Sequence, residues 1–286
     1  MIVILKARPR APVPLDAREA AVARALVAAS RAVSAATPLG KLREALEAAD
    51  PMRAIDVVAW EAAGEALLAT LPKQYVLQHR ESKERADRQM RRALRKQLGY
   101  EFGREDPNSV RWAQTRSGDL IREWGSTSQA ALRTMINRAF EDGLPPRQIA
   151  RLIRDSGIGL TERQALAVVR RREQLIKDGI QASRVDGLTE RYSAQLLRQR
   201  AATIARTEII AAQTAGTQAT WQQAVEQGFL NLETARQVWA ADPDERTCPI
   251  CESLDGEEAR LGEPFPGGYY GPPAHPACRC GVNLRP

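Results

Sequence analysis

The residues best suited to bind a metal ion are gathered near the C-terminus of the chain. All four cysteines and one of the two histidines lie between positions 248 and 280, namely Cys248, Cys251, His275, Cys278 and Cys280. The two-residue gap in Cys248-Pro249-Ile250-Cys251 lets one tight turn place two thiolates on a single ion. His275 and Cys278 repeat this gap, and residues 252–274 can form the loop that joins the two halves. The spacing therefore predicts a zinc site.

Five candidate ligands compete for the four positions of a tetrahedral structural site. The favoured set is Cys248, Cys251 and His275 together with either Cys278 or Cys280. The alternative is an all-thiolate set with His275 outside it. Without a metal, the cysteines would be free buried thiols, or disulfides in an oxidising compartment. A reducing cytosol disfavours disulfides, and the N-terminus lacks the basic-then-apolar pattern of a signal peptide, so we expect a cytosolic product.

The zinc ion at this site is predicted to have a structural role and not a catalytic one. A catalytic zinc keeps an open position for water and has a general base nearby, whereas thiolate-rich ligation favours a closed site. The sequence contains no H-E-x-x-H, no Walker loop and no G-x-S-x-G motif. We therefore expect no enzymatic activity and no small-molecule substrate, with a zinc-dependent nuclease or hydrolase as the weakest alternative.

The elements around the site differ sharply in composition. Residues 237–240 have the pattern of a strand, and the tract after them is so rich in Pro and Gly that it cannot form a sizeable core, which points to a metal staple. The preceding chain has few aromatic residues and much Ala, Leu, Arg and Glu, which favours helices. We predict a mainly α fold, with an elongated helical N-terminal and middle region followed by a small zinc-stapled α+β module over 235–284. An extended arm (1–13) is expected before helices at 16–34, 38–49, 51–71, 74–98 and 109–142. Two helices (148–155 and 162–177) are expected within 144–178 and a last one at 190–227, with Pro72 ending the third helix and Gly187 preceding the last.

A basic face on the fourth predicted helix gives the chain a second candidate function. Arg85, Arg88, Arg92 and Arg95 follow one another at i, i+3, i+7 and i+10, which places them on one side of a helix. The net charge of +7 agrees with an anionic partner such as genomic DNA. The face could equally be a solvated helix surface, and the pattern does not choose between the two.

The order of short motifs in the second half resembles that of a known family. Ala205-Arg206-Thr207-Glu208 is followed by Trp239, by residues 244–251 (DERTCPIC), by Leu254-Asp255-Gly256 and by residues 272–280 (PPAHPACRC). This order resembles the phage head morphogenesis family, the Mu F-like minor head proteins of tailed bacteriophages and prophages. The resemblance implies a variable helical region over 1–140 and a head-morphogenesis domain over 141–286.

The resemblance also implies a function and a setting. Such proteins are minor capsid proteins that act in head assembly and DNA packaging, associate with the portal protein or the major capsid protein, and contact DNA or enter the host with it. The expected location is the host cytoplasm during assembly and afterwards the virion, at the head interior or portal vertex, with no membrane involved. A zinc-containing DNA-binding protein is the main alternative.

The shared motif residues receive structural interpretations. We expect Glu208, next to Arg206 in its helix, to accept hydrogen bonds from the backbone or from Arg246 where the helix meets the zinc module; a solvated helical pair is the alternative. Trp239 is interpreted as a core residue. Asp244 is interpreted as a structural residue beside the zinc site. Asp255 and Gly256 are expected to form a tight turn, and Arg279, which lies between two cysteines, is expected to point to the surface.

Overall fold

A computed structural model describes residues 14–94, 107–242 and 244–286. The helices are α1 (Ala17–Ala36), α2 (Leu39–Glu47), α3 (Pro51–Asp56), α4 (Glu61–Leu68), α5 (Leu71–Leu94), α6 (Pro107–Glu141), α7 (Pro146–Ser156), α8 (Glu162–Lys177), α9 (Ala182–Glu226) and α10 (Pro249–Leu254). The strands are β1 (Arg236–Ala240), β2 (Glu258–Arg260) and β3 (Gly281–Arg285), and a short 3-10 turn covers Pro266–Gly268. The prediction of a mainly α fold with a small C-terminal α+β module is confirmed. The predicted arm over 1–13 and Arg95 lie outside the described residues.

The start of α1 shows how local sequence fixes a helix end. The side chain of Asp16 accepts hydrogen bonds from the backbone N–H groups of Arg18 and Glu19, while the Glu19 carboxylate accepts the Asp16 N–H. This reciprocal arrangement satisfies N–H groups that a helix leaves without intrahelical partners. The helix start predicted at Asp16 is therefore confirmed.

Three features of the helices differ from the sequence prediction. Pro72 does not end a helix but lies in the first turn of α5, where its missing N–H removes no intrahelical bond. The single helix expected over 51–71 is divided into α3 and α4. α9 begins at Ala182 and includes Gly187, because buried contacts of Val185 and Thr189 hold this first part of the helix against its neighbours.

The main hydrophobic core lies between the N-terminal helices and α9. Its buried side chains come from α1–α7 and from α9, and include Leu26, Trp124, Ile136 and Ile209. α5 and α9 cross closely at Gly216, where an added Cβ would lie 2.3 Å from the carbonyl oxygen of His79. The core therefore spans position 140, and the domain boundary predicted there stays a prediction about sequence variability.

The C-terminal module is built on a three-stranded antiparallel sheet in the order β2-β1-β3. α10 lies between β1 and β2 in the chain, and β3 follows Cys280 directly. The module rests on α9 through polar contacts: the Ala277 N–H donates to Thr207 Oγ1 at 2.9 Å, and Gln218 Nε2 donates to Gln237 Oε1 at 3.1 Å. The position of the cysteine-rich loops is thus fixed relative to the long helix.

None of the helices in the described ranges is both long enough and apolar enough to cross a membrane.

Candidate metal centre

The first pair of candidate ligands lies at the start of α10. Cys248 precedes the helix with an extended backbone, and its Sγ accepts the backbone N–H of Cys251 at 3.4 Å. Pro249 occupies the first helical turn, where a proline is tolerated because no intrahelical N–H bond is needed. The Cys-Pro-Ile-Cys sequence therefore forms the tight turn that its spacing predicted, with both sulfurs on one side.

His275 presents its imidazole to both of these sulfurs. Its Nε2 lies 3.1 Å from Cys248 Sγ and 3.1 Å from Cys251 Sγ. Its Nδ1 lies 2.9 Å from the carbonyl oxygen of Pro276, which can only accept a hydrogen bond. Nδ1 therefore carries the ring proton and Nε2 offers its lone pair, which is the tautomer that a metal-binding histidine needs.

The second group of sulfurs shares Cys251 with the first. Cys251, Cys278 and Cys280 are all buried and their sulfurs lie within 4.8 Å of one another. The Sγ atoms of Cys251 and Cys278 are 3.8 Å apart, far longer than the S–S bond of about 2.05 Å. Two sulfurs that bind one zinc ion tetrahedrally at about 2.3 Å each lie about 3.8 Å from each other. The cysteines are thus free thiols at a separation that fits metal ligation. The group of Cys248, Cys251 and His275 and the group of Cys251, Cys278 and Cys280 could each hold a metal ion.

The protonation of this cluster agrees with a site for a cation. A hydrogen bond from the Cys280 thiol, the largest cause, lowers the pKa of Cys278 to about 5. Burial, the largest cause at Cys251, raises the pKa of that thiol to about 12. The pKa of Cys280 is raised, first by its hydrogen bond to Cys278 and then by burial. The cluster thus stabilises one thiolate through neighbouring protons, and a bound cation would take the place of protons there.

Trp239 forms the floor of the cluster and carries a buried polar atom. The residue is 1% exposed and packs edge-on against Phe265, with ring centroids 5.2 Å apart. Its indole N–H has no hydrogen-bond partner of normal geometry in the described part of the chain, and the Cys280 sulfur lies beside it. Trp239 is therefore a core residue of the module, and its indole N–H lies beside the Cys280 sulfur.

An ionic clamp beside the cluster was missed in the sequence interpretation. Arg279 was expected to point to the surface, but its side chain is only 19% exposed and pairs with Asp242 at 2.5 Å and Asp244 at 2.5 Å. The hydrogen bond from Arg279, the largest cause, lowers the pKa of Asp244 to about 2. The clamp joins the two halves of the cysteine cluster, since Asp244 precedes Cys248 and Arg279 stands between Cys278 and Cys280. The acidic residues just before the first knuckle were the available signal for it.

The remaining motif residues of the module take turn positions. Gly256 has a positive φ of 78°, which L side chains rarely adopt, and its N–H donates to the Trp239 carbonyl oxygen. The Asp255 carboxylate accepts the backbone N–H of Ala241 at 2.8 Å. Arg246 lies exposed in the turn before the knuckle, where its backbone N–H donates to Asp244.

Glu208 is buried in the body of the protein, but its partners differ from the expected ones. Instead of Arg246, Arg116 binds the carboxylate with two N–H groups, one of them at 2.6 Å, and the Tyr75 hydroxyl lies at 3.3 Å. Arg206 pairs with the buried Glu19 of α1 at 3.0 Å. The sequence interpretation was wrong about these partners because each partner lies far away along the chain, where no local pattern indicates it.

The basic face on α5 is present over its described part. Arg85, Arg88 and Arg92 are exposed, and Arg85 donates to Ser82 Oγ at 3.2 Å. On α8, Arg172 is buried and donates to Gln148 at 2.8 Å. Nucleic-acid contact through α5 stays a prediction.

The fold and the cluster together describe a helical protein that carries a candidate metal centre in a small C-terminal module. Residues 130–283 match the family described as Phage Mu protein F like protein. The match covers more than half of the chain, so the chain belongs to this family, and the family resemblance seen in its motifs is confirmed. Membership indicates a phage head morphogenesis protein that interacts with other head components. No curated protein and no solved structure matches the chain significantly.

Proposed function

We propose that this protein is a minor head protein of a tailed phage or prophage that acts in head assembly at the portal or inner capsid. Family membership is the observation that carries the proposal. Its partners are the portal protein, the major capsid protein or both. It acts in the host cytoplasm during assembly and then resides in the virion, where it takes part in DNA packaging.

In this function the C-terminal cluster would bind a structural zinc ion. Cys248, Cys251, His275 and Cys278 would hold it, because His275 Nε2 faces the first two sulfurs and the Cys251–Cys278 separation of 3.8 Å suits two ligands of one ion. Cys280 would stay outside the ligand set as a hydrogen-bond donor to Cys278, and such supporting donors tune metal ligands. When bound, the ion supplies a cross-link between the two loops and no catalysis.

Three features of the described residues support a structural role over an enzymatic one. The donor set is rich in thiolates, which favours a closed site. Two acids that precede the first knuckle, Asp242 and Asp244, are paired with Arg279 and therefore do not stand free as general bases. The module is attached to α9 by polar contacts and by a buried apolar cluster that includes Trp221 and Leu284, which suits a rigid docking unit.

The experiment that tests this function is a non-sense mutation early in the gene, in a phage or inducible prophage that carries it. The proposal expects particles that fail to form normal DNA-filled heads, with normal heads restored by the wild-type chain supplied in trans. Mass spectrometry of purified wild-type heads should detect this chain in fewer copies than the major capsid protein. Normal infectious particles without the chain would contradict the proposal.

The exposed face of α5 supports a second candidate, direct contact with DNA. Arg88 and Arg92 have no ion pair or hydrogen bond within the described residues, and both are exposed on the same side as Arg85. Replacing all three arginines by glutamine should weaken binding to duplex DNA. The slope of the logarithm of the binding constant against the logarithm of the salt concentration should become shallower by about one for each lost phosphate contact. Unchanged affinity and salt dependence in this variant would contradict DNA contact through α5.

A further inference from the structure

An apolar groove lies between α1 and α9, on a face that the metal centre does not reach. It has a volume of about 650 Å³. Its apolar lining comes from residues of both helices and from the segment just before α1, and consists of Leu15, Ala20, Ala23, Val27, Ala28, Ala201 and Ala202. Along α1 the lining runs from Ala20 to Arg31, a helical rise of about 16 Å. The groove is therefore long enough to accept three turns of another helix.

The charge around this groove has one sign. Arg24, Arg31 and Arg198 line it, and no acidic residue does. All three arginines are exposed, and none has a hydrogen bond or ion pair within residues 14–94, 107–242 and 244–286. Two arginines elsewhere on the same helices are paired, since Arg18 binds Glu81 and Arg206 binds Glu19. The three groove arginines are thus available to an external anion.

We propose that this groove binds an amphipathic helical segment of a partner protein, with an apolar face flanked by aspartate or glutamate. The apolar floor would cover the non-polar side of the segment, and the three arginines would pair with acids along its edges. Arginine suits this role because its planar fork of N–H groups binds a carboxylate through two hydrogen bonds. Complementary charge also favours one orientation and rejects basic segments.

Charge argues against the chain's own N-terminal segment as the occupant. Residues 1–13 come shortly before Leu15 in the sequence, but they carry Lys6, Arg8 and Arg10 and no acidic residue. Such a segment would add positive charge to a face that already has three unpaired arginines. DNA is also a poor fit to the floor of the groove, because phosphates gain nothing from an apolar surface.

The test uses a designed helical peptide of about 14 residues, long enough for the groove, with leucines on one face and glutamates flanking them. A matched peptide carries lysine in place of each glutamate. Binding to the full zinc-loaded chain is measured by fluorescence anisotropy at several salt concentrations. We expect the glutamate peptide to bind more tightly than the lysine peptide, with an affinity that falls as salt is added.

A charge-reversal variant identifies the surface. In Arg24→Glu/Arg31→Glu/Arg198→Glu the glutamate peptide should bind at least about tenfold more weakly, and the preference should shift to the lysine peptide. The matched control is Arg163→Glu/Arg170→Glu/Arg171→Glu, which makes the same charge change at exposed positions of α8 and should keep the original preference. Ala28→Trp, which fills the groove without a change of charge, should weaken the binding of both peptides. Circular dichroism and zinc content verify that each variant is folded.

Four outcomes would overturn the proposal. The first is equal binding of the two peptides, or loss of preference in the control as well as in the charge-reversal variant. The second is DNA binding by the wild type that the charge-reversal variant alone loses, which would assign the face to nucleic acid. The third is self-association that this variant abolishes, and the fourth is a gain in peptide affinity of about tenfold or more on deletion of residues 1–13. The proposal does not depend on the phage head function, because each measurement uses the isolated chain.

Discussion

The buried ion pair between Arg116 and Glu208 allows the packing of the helical body to be tested quantitatively. Glu208 is 3% exposed, whereas the Arg116 side chain is 33% exposed at the edge of a cleft. Arg116→Ala leaves a buried carboxylate whose remaining contact is the Tyr75 hydroxyl at 3.3 Å. Removal of one partner of a buried pair costs about 3–5 kcal/mol, so we expect a loss of stability in this range.

The reverse substitution should cost less. Glu208→Ala leaves a guanidinium that can turn towards water, and we expect a loss of about 2 kcal/mol. The double variant Arg116→Ala/Glu208→Ala removes both charges and should be more stable than Arg116→Ala, since no unpaired charge is left inside. The order of stability among the three variants therefore shows the effect of burying a charge as well as the effect of pairing it.

The assay is urea denaturation followed by helical circular dichroism at 222 nm, in the presence of zinc. The control is Glu258→Ala, which breaks an exposed pair whose Arg285 side chain is 68% exposed and should change stability by less than about 1 kcal/mol. An Arg116→Ala variant as stable as this control would refute the reasoning. A double variant whose loss equals the sum of the two single losses would also refute it, because the pair would then be uncoupled.

The remaining predictions concern the module and the helix crossing. Cys278→Ser should abolish zinc binding, whereas Cys280→Ser should retain it, because a serine hydroxyl can still donate to Cys278; the zinc content of each purified chain distinguishes them. Arg279→Ala should raise the pKa of Asp244 from about 2 towards the ordinary value of about 3.9, as measured by NMR titration. The clamp's stabilisation is thus present above the unfolded pKa and is lost as pH falls from about 4 to about 2. Gly216→Ala would place a Cβ 2.3 Å from a backbone carbonyl oxygen of α5 and should destabilise the fold by about 2 kcal/mol, as seen in the urea midpoint.

Features that depend on local sequence could be predicted well. The start of α1 follows from Asp16 and Glu19, and the first knuckle follows from the spacing of Cys248 and Cys251. These signals are strong because the interacting groups lie three residues apart, so the backbone alone brings them together. The mainly α fold was likewise predictable from composition and helical spacing.

Long-range partners and context-dependent residues could not be predicted. Glu208 meets Arg116 across 92 positions and Arg206 meets Glu19 across 187, so each pairing is decided by the packing of α9 against other helices. Pro72 and Gly187 were interpreted as helix boundaries, yet the same residue types are compatible with a first turn or with a helix held by tertiary contacts. The clamp at Arg279 was missed because its type and spacing fit a solvent-exposed residue equally well.

The central claim is that one zinc ion joins the two cysteine-bearing loops of a phage head protein. Native mass spectrometry of the full chain, purified under reducing conditions without chelator, tests this claim most directly. We expect one zinc ion in each wild-type chain and none in Cys251→Ser. Removal of the metal should increase backbone hydrogen exchange only within residues 235–284. A metal-free wild-type chain whose module shows the same protection from exchange with or without added zinc would contradict it.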